Sequence, residues 1–144
     1  LADSSAEALA LAQKNIQQLG GTPHTQKIDI VARPNQLPLG PFDIIICDPP
    51  ALINTKKDVA AGKRAYLKVK RFALERLKHN GYFGACSCSH HLWEKDFEEI
   101  LAAAADEAKV RMSWVYRGGQ AADHPVRLEF PEGRYLKCMI GIRV

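Results

Sequence analysis

The sequence predicts an α/β domain built on a mainly parallel sheet with helices on both faces. Strand-like and helix-like segments alternate along much of the chain, which is the pattern of successive βαβ units. Phe42-Asp43-Ile44-Ile45-Ile46-Cys47 is a short, apolar, β-branched run, and such runs suit strands covered on both faces of a parallel sheet. Pro49-Pro50 ends that run at once, because proline cannot donate to a sheet ladder.

The elements follow in order. Leu1-Ala2-Asp3-Ser4-Ser5 reads as the end of a strand running into a helix. The chain is therefore expected to be a piece of a longer protein, a partial domain spanning residues 1–144. Ser4 and Glu7 have capping-box spacing. Leu9, Ala12, Ile16 and Leu19 then mark one helical face, and Gly20-Gly21 supplies a stop. Residues 25–30 form a short strand, and residues 31–41, with Pro34, Pro38, Gly40 and Pro41, form a loop. The isoleucine-rich strand covers 42–47.

Thr55 and Asp58 are placed to cap a helix whose buried face includes Tyr66, Val69, Ala73 and Leu77, with Asn80-Gly81 as its end. Residues 82–87 read as a strand. Trp93, Phe97, Ile100, Leu101, Ala104 and Ala108 recur at helical spacing. A strand over 110–116, a loop over 118–127 and a strand over 135–144 complete the chain. No helix separates the last two strands, so one of them is expected to run antiparallel at the sheet edge.

Composition narrows the function. A chain of 144 residues has room for one domain with a sizeable core. Hydrophobic residues at 47% and charged residues at 25% are ordinary for a soluble globular protein. No segment has the apolar length of a membrane span and no signal peptide opens the chain, so no membrane partner is expected. Cys47, Cys86, Cys88 and Cys138 do not form the spaced set of a disulfide framework, which points to a reducing cytoplasm. A net charge of +4 permits a phosphate-bearing partner without requiring one.

Asp48-Pro49-Pro50 carries the strongest chemical signal. A rigid turn at a strand end presents an acid and carbonyl oxygens at little entropic cost, and ligands of parallel sheets sit beyond the carboxyl ends of the strands. The alternative is a plain strand terminator. Cys86-Ser87-Cys88-Ser89-His90-His91 invites a metal reading, yet a structural zinc needs two spaced ligand pairs and only one is visible, so no metal is expected. Cys88 is nearer the carboxyl end of its strand and is the candidate for chemistry. Cys47 and Cys138 read as small buried apolar residues. Asp123-His124 is either a general base or simple loop hydrogen bonding. Lys56-Lys57, Lys63-Arg64 and Lys68-Lys70-Arg71 form a basic stretch, either a solvated helix face or a surface for RNA phosphates.

Several segments together resemble a known family. They are Asp48-Pro49-Pro50, the Tyr66 helix, Asn80-Gly81, Ser87-Cys88-Ser89, Gln120-Ala121-Ala122-Asp123-His124-Pro125 and Pro131-Glu132-Gly133-Arg134-Tyr135-Leu136-Lys137. The chain resembles the carboxyl-terminal part of the class I, S-adenosylmethionine-dependent large-subunit rRNA cytosine-5 methyltransferases. The resemblance implies a Rossmann-like sheet and S-adenosylmethionine as cofactor. It places Asp3 at the cofactor ribose, Asp29 near adenine, and Asp48 at the cofactor and base. Pro49 and Pro50 would hold the substrate base, and Cys88 would be the nucleophile. It implies rRNA as partner, and a homodimer stays open. The chain departs from the family in two ways. The glycine-rich first motif and the amino-terminal RNA-binding domain would precede residue 1, and Ala51-Leu52 stands where the family often has Lys-Phe. Two other readings stay open: an RNA methyltransferase acting on a base nitrogen, which needs no thiol, and a non-catalytic RNA-binding module.

Overall fold

A computed structural model describes residues 1–144, which divide into two compact units, residues 1–39 and residues 40–144. In the first unit, strand β1 (Ala2–Asp3) leads into helix α1 (Ala6–Gln18) and then to strand β2 (Gln26–Lys27), which pairs with β1 in parallel. The helix cap is Ser5, not Ser4: its hydroxyl accepts from the Ala8 amide, so no capping box forms with Glu7. An aspartate directs this choice, because the Asp3 carboxylate accepts from the Ser5 amide at 2.7 Å. At the other end Gly20 takes the left-handed conformation that closes the helix (φ 76°). The strand expected over 25–30 shortens to two residues.

The second unit holds β3 (Phe42–Cys47), α2 (Val59–Leu74), β4 (Leu77–Ser87), α3 (Glu94–Glu107), β5 (Met112–Gly118) and β6 (Lys137–Arg143). The sheet order is β3-β4-β6-β5. β3 and β4 run parallel, while β6 is antiparallel to both of its neighbours, β4 and β5. The antiparallel strand is therefore interior rather than at the edge: β6 doubles back between β4 and β5, and β5 takes the edge.

Asn80-Gly81 does not end α2. The helix stops at Leu74, and Leu77 already belongs to β4. Asn80, at φ 63°, and Gly81 lie where the β3–β4 register shifts, between the pairs Phe42↔Leu77 and Ile44↔Tyr82. The dipeptide serves a bulge, because Asn tolerates a left-handed backbone and a Cβ at Gly81 would come within 2.9 Å of the Asp43 carbonyl oxygen.

Tyr66, Val69 and Ala73 of α2 and Phe97, Leu101 and Ala104 of α3 are buried, with Phe83, Ala85 and Met139 from the sheet. The two helices pack together, Tyr66 meeting Phe97 edge to face at 6.3 Å. The other face of this sheet is not covered within the unit. Ile44 and Ile46, expected to be buried, are 63% and 68% exposed. Their run satisfies the demand for cover on one side only, through Ile45 and Cys47.

Thr55 and Asp58 do form a capping box, each bonding the other's backbone ahead of α2. Further along, Gly62 lets the segment after the diproline lie on the helix, since an added Cβ would fall 2.2 Å from Ile53 Cγ1 and 2.5 Å from the Leu52 carbonyl oxygen. Gly62→Ala is expected to destabilise the protein by about 1–3 kcal/mol, the usual range for overpacking, despite alanine's better helix propensity. Urea unfolding checks it, and an unchanged or raised stability would show that the segment shifts freely.

Candidate functional site

The carboxyl ends of β3 and β4 lie side by side. Cys47 pairs with Ala85, so the next residue, Asp48, comes level with Cys86. Cys88 lies two residues farther along, just past the end of β4 at Ser87. Adjacent strands are about 4.8 Å apart, so both strand ends serve one small region. Asp48 is exposed, Pro49 buried and Pro50 exposed.

A buried hydroxyl network joins these ends. The Tyr66 hydroxyl lies 2.9 Å from both Ser87 Oγ and Ser89 Oγ. Ser89 Oγ accepts from the Ile53 amide at 3.1 Å, and the Tyr66 hydroxyl donates to the Pro50 carbonyl at 3.5 Å. The loop after the diproline is thereby tied to Ser87-Cys88-Ser89. Both serines are fully buried, and Cys88 between them stays half-buried. Buried polar groups normally find partners, and here each partner lies in the opposing segment.

Two lysines reach into the same region. Lys70 is fully buried, and its ammonium donates to the Cys47 carbonyl at 2.5 Å and the Cys86 carbonyl at 3.0 Å. It clamps the last turns of β3 and β4 together and lies 5.6 Å from the Phe97 ring centre. Burial lowers its pKa, opposed mainly by its contact with Cys47. Lys137 is 7% exposed and donates to the Ser89 and Tyr135 carbonyls, both at 2.6 Å. Burial brings its pKa down to about 8, while Cys88 acts in the opposite direction. Neither lysine forms an ion pair with a carboxylate.

The remaining thiols differ in kind. Cys47 is buried, as expected. Cys138, expected to be buried, is half-buried and faces Cys86 across β4 and β6. Burial and its hydrogen bond with Cys138 push the Cys86 thiol up to about 12, which leaves it a poor nucleophile at neutral pH.

Three residues of the basic stretch after the diproline are occupied, while Lys56, Lys57, Arg64 and Lys68 are exposed. Lys63 pairs with Asp96 at 2.7 Å, Arg71 with Glu75 and Glu107, and Lys70 is interior. Asp123 and His124 are exposed on a loop, 3.0 Å apart, and the histidine holds the Asp123 carboxyl below its usual range. His124 lines a cleft of about 1010 Å³ with Trp93, Arg117, Arg134 and Lys137. Cys88 and Asp48 are not among its walls. Lys137 and Leu92 both line the cleft and bond the Ser89 carbonyl.

In the first unit, Asp3 and Asp29 stand together. Asp3 ends β1, and Asp29 follows the end of the parallel strand β2. The Asp29 carboxylate accepts from the Val31 and Ala32 amides, both at 3.0 Å, through Oδ1 alone. Asp3 likewise uses Oδ1 for the Ser5 amide. The bonds of both acids, which lie at the carboxyl ends of parallel strands, thus run through Oδ1 to local backbone amides.

Tyr66, Ser87, Ser89 and Lys137 were given no roles from the sequence, and Lys70, read there as part of a solvated or RNA-facing basic stretch, is instead fully buried. A signal for Lys70 existed: it falls on the same helical face as Tyr66, Val69 and Ala73. Lys137 likewise shares the inward alternation of Met139 and Gly141.

Burial of Lys137 has a measurable consequence. Below about pH 8 the lysine is protonated in both folded and unfolded protein, and the cost of burying its charge is fully felt. Between about 8 and 10.5 the unfolded chain binds more protons, so stability rises with pH. Lys137→Met is expected to flatten that rise. Urea unfolding on either side of the window checks it, and an equal slope in the variant would contradict the assignment.

No family model matches the chain. It is 34% identical over 140 residues to ribosomal RNA large subunit methyltransferase I of Erwinia tasmaniensis, which covers 94% of this chain and 35% of that protein. It is 34% identical over 100 residues to the protein of the same name from Shewanella frigidimarina, covering 69% of this chain and 25% of that one. The chain thus spans about a third or less of these relatives. Among solved structures, one assigned as a methyltransferase and complexed with SAH matches 99% of this chain and 38% of its own, with a TM-score of 0.72 and 22% identity. An S-adenosylmethionine-dependent methyltransferase from Clostridium acetobutylicum matches 98% of this chain and 73% of its own, with a TM-score of 0.63 and 13% identity. No helix of the chain is long and apolar enough to cross a membrane. In sequence the chain is similar to the large-subunit rRNA methyltransferases, and its architecture is that of the Rossmann-like class I methyltransferase fold.

Proposed function

We propose that this chain forms part of a cytoplasmic, S-adenosylmethionine-dependent rRNA methyltransferase that makes 5-methylcytosine, with Cys88 as its nucleophile. The carrying observation is the Tyr66–Ser87–Ser89 network, which holds Cys88 half-buried beside the loop after Asp48-Pro49-Pro50. The relatives' names support methyl transfer to large-subunit rRNA. The methyltransferase structure complexed with SAH supports the cofactor.

Carbon 5 of cytosine is a weak nucleophile. Addition of the Cys88 thiolate to carbon 6 forms a carbon–sulfur bond and moves an electron pair toward carbon 5. S-adenosylmethionine supplies an electrophilic methyl group when bound. Loss of the carbon-5 proton then expels sulfur and restores the ring. Sulfur suits the task because a thiolate both attacks and leaves well. Asp48, Pro49 and Pro50 would hold a flipped base by its pairing edge. Asp3 and Asp29 would hold the ribose and adenine of the cofactor.

Two measurements on the intact protein test this reading. Cys88→Ala is expected to fold and bind cofactor but lose cytosine methylation, and RNA carrying 5-fluorocytosine is expected to stay bonded to wild type, since no carbon-5 proton remains to leave. Retained methylation in Cys88→Ala, or a nitrogen-methylated product, would replace this reading with the nitrogen-methylating one. Asp3→Ala is expected to weaken cofactor binding by roughly 1–3 kcal/mol, the cost of stranding buried hydrogen-bonding groups. Titration calorimetry measures it, and unchanged affinity would remove Asp3 from the site.

A further inference from the structure

The Lys137 ammonium sits in a place that hydrogen bonding alone does not explain. Lys137 pairs with Ser87 across β4 and β6, while its Nζ donates to the Ser89 carbonyl. The side chain therefore brackets Cys88 from the residue before to the residue after. Its second acceptor is the Tyr135 carbonyl, from the segment leading into β6. Two carbonyls fix the nitrogen but leave its positive charge uncompensated. No carboxylate pairs with it. A buried charge without a counter-charge is costly, and a surface lysine would avoid that cost.

The titratable side chains near it are few. Cys88 lies on the β4 side, and His90 and Glu94 flank the cleft before and within the first turn of α3. Arg117, His124, Glu132 and Arg134 line the cleft from β5 and the loop that follows it. Of these, Cys88 is the one set between Ser87, the strand partner of Lys137, and Ser89, whose carbonyl its ammonium bonds.

We propose that Lys137 is a positioning residue for Cys88: its ammonium, anchored by the Ser89 and Tyr135 carbonyls, is the counter-ion beside which Cys88 works as a thiolate. Ionisation of the thiol then supplies the anion that the buried cation lacks, and the cation favours the form of sulfur that attacks carbon 6. Tyr66, Ser87 and Ser89 set where the sulfur sits, and Lys137 sets its charge. This inference rests on Cys88 as the nucleophile, and its test is separable from that reading.

The test is the pH profile of Cys88 alkylation by iodoacetamide in the intact protein, quantified at Cys88 by peptide mass spectrometry. Lys137→Gln keeps a hydrogen-bond donor and removes the charge. It is expected to move the alkylation midpoint to higher pH and to slow alkylation at neutral pH about tenfold, equivalent to one pKa unit. Lys137→Arg is expected to restore most of the wild-type profile, which a purely structural role for the amine would not do. Where Lys137→Gln fails to fold, Lys137→Met gives the same reading, since it suits a buried site. A profile unmoved in a folded Lys137→Gln or Lys137→Met protein overturns the proposal, as does a shift that Lys137→Arg leaves uncorrected. A profile that moves as expected while Cys88→Ala still methylates cytosine keeps the ion pair and removes the cytosine-5 mechanism.

Discussion

A buried ammonium must find acceptors, and that requirement organises the carboxyl end of the sheet. Lys70 meets it by bonding the Cys47 and Cys86 carbonyls, the last turns of two parallel strands. Two other residues of α2 lie on the same stripe at intervals of four. Gly62 leaves room for the Leu52-Ile53 segment, and Tyr66 bonds both serines and the Pro50 carbonyl. Residues i and i+4 stack on one helix face, so one stripe of α2 positions the diproline loop, the Ser-Cys-Ser segment and both strand ends. Helix packing and site geometry are thus a single problem here. A side chain lost from this stripe leaves polar groups unpaired in the core, where each costs about 1–3 kcal/mol, and it loosens the site together with the fold.

Much of the fold was legible because apolar periodicity reports burial. The isoleucine-rich strand, the Tyr66 and Phe97 helices and the Thr55–Asp58 cap stand where the sequence put them. Asn80-Gly81 misled because one dipeptide serves two backbone purposes, a helix stop and a bulge, and only the strand partner decides between them. The interior place of β6 was hidden for a related reason: consecutive strands usually neighbour each other, and here β6 does pair with β5 but also enters beside β4. The acids and the thiol proposed for the site were singled out from their motifs. Lys70 was not, because its lysine and arginine neighbours at 63, 64, 68 and 71 made it look like part of a solvated charge run.

The isoleucine run shows how a pattern can be right about demand and wrong about supply. Its composition asks for cover on both faces, and α2 and α3 provide it on one. Ile46 lies over Gly84, where an added Cβ would come within 2.7 Å of the isoleucine, so the strands shield each other in part. Ile44 and Ile46 nonetheless remain the outward side of a strand written for burial. The inward side needs no such allowance, because Cys47 and Pro49 close it at the point where Asp48 turns outward.

Four cysteines in similar apolar surroundings acquire different chemistry from their neighbours alone. Cys47 is sealed in the core, and its carbonyl rather than its sulfur takes the Lys70 bond. Cys86 faces Cys138 across an antiparallel pair, and burial together with the Cys138 hydrogen bond holds the Cys86 side chain as a thiol. Cys88 stands past the end of its strand, half-buried, between two serines whose hydroxyls are fully committed to Tyr66 and to the loop beyond the diproline. Those serines cannot compete with it for a ligand, and the bonds that bury them keep the sulfur from following them inward. Sequence spacing alone made Cys86 and Cys88 near equivalents on one strand face. Partner strand β6 separates them, setting Cys138 opposite Cys86 and Lys137 opposite Ser87, the residue before Cys88.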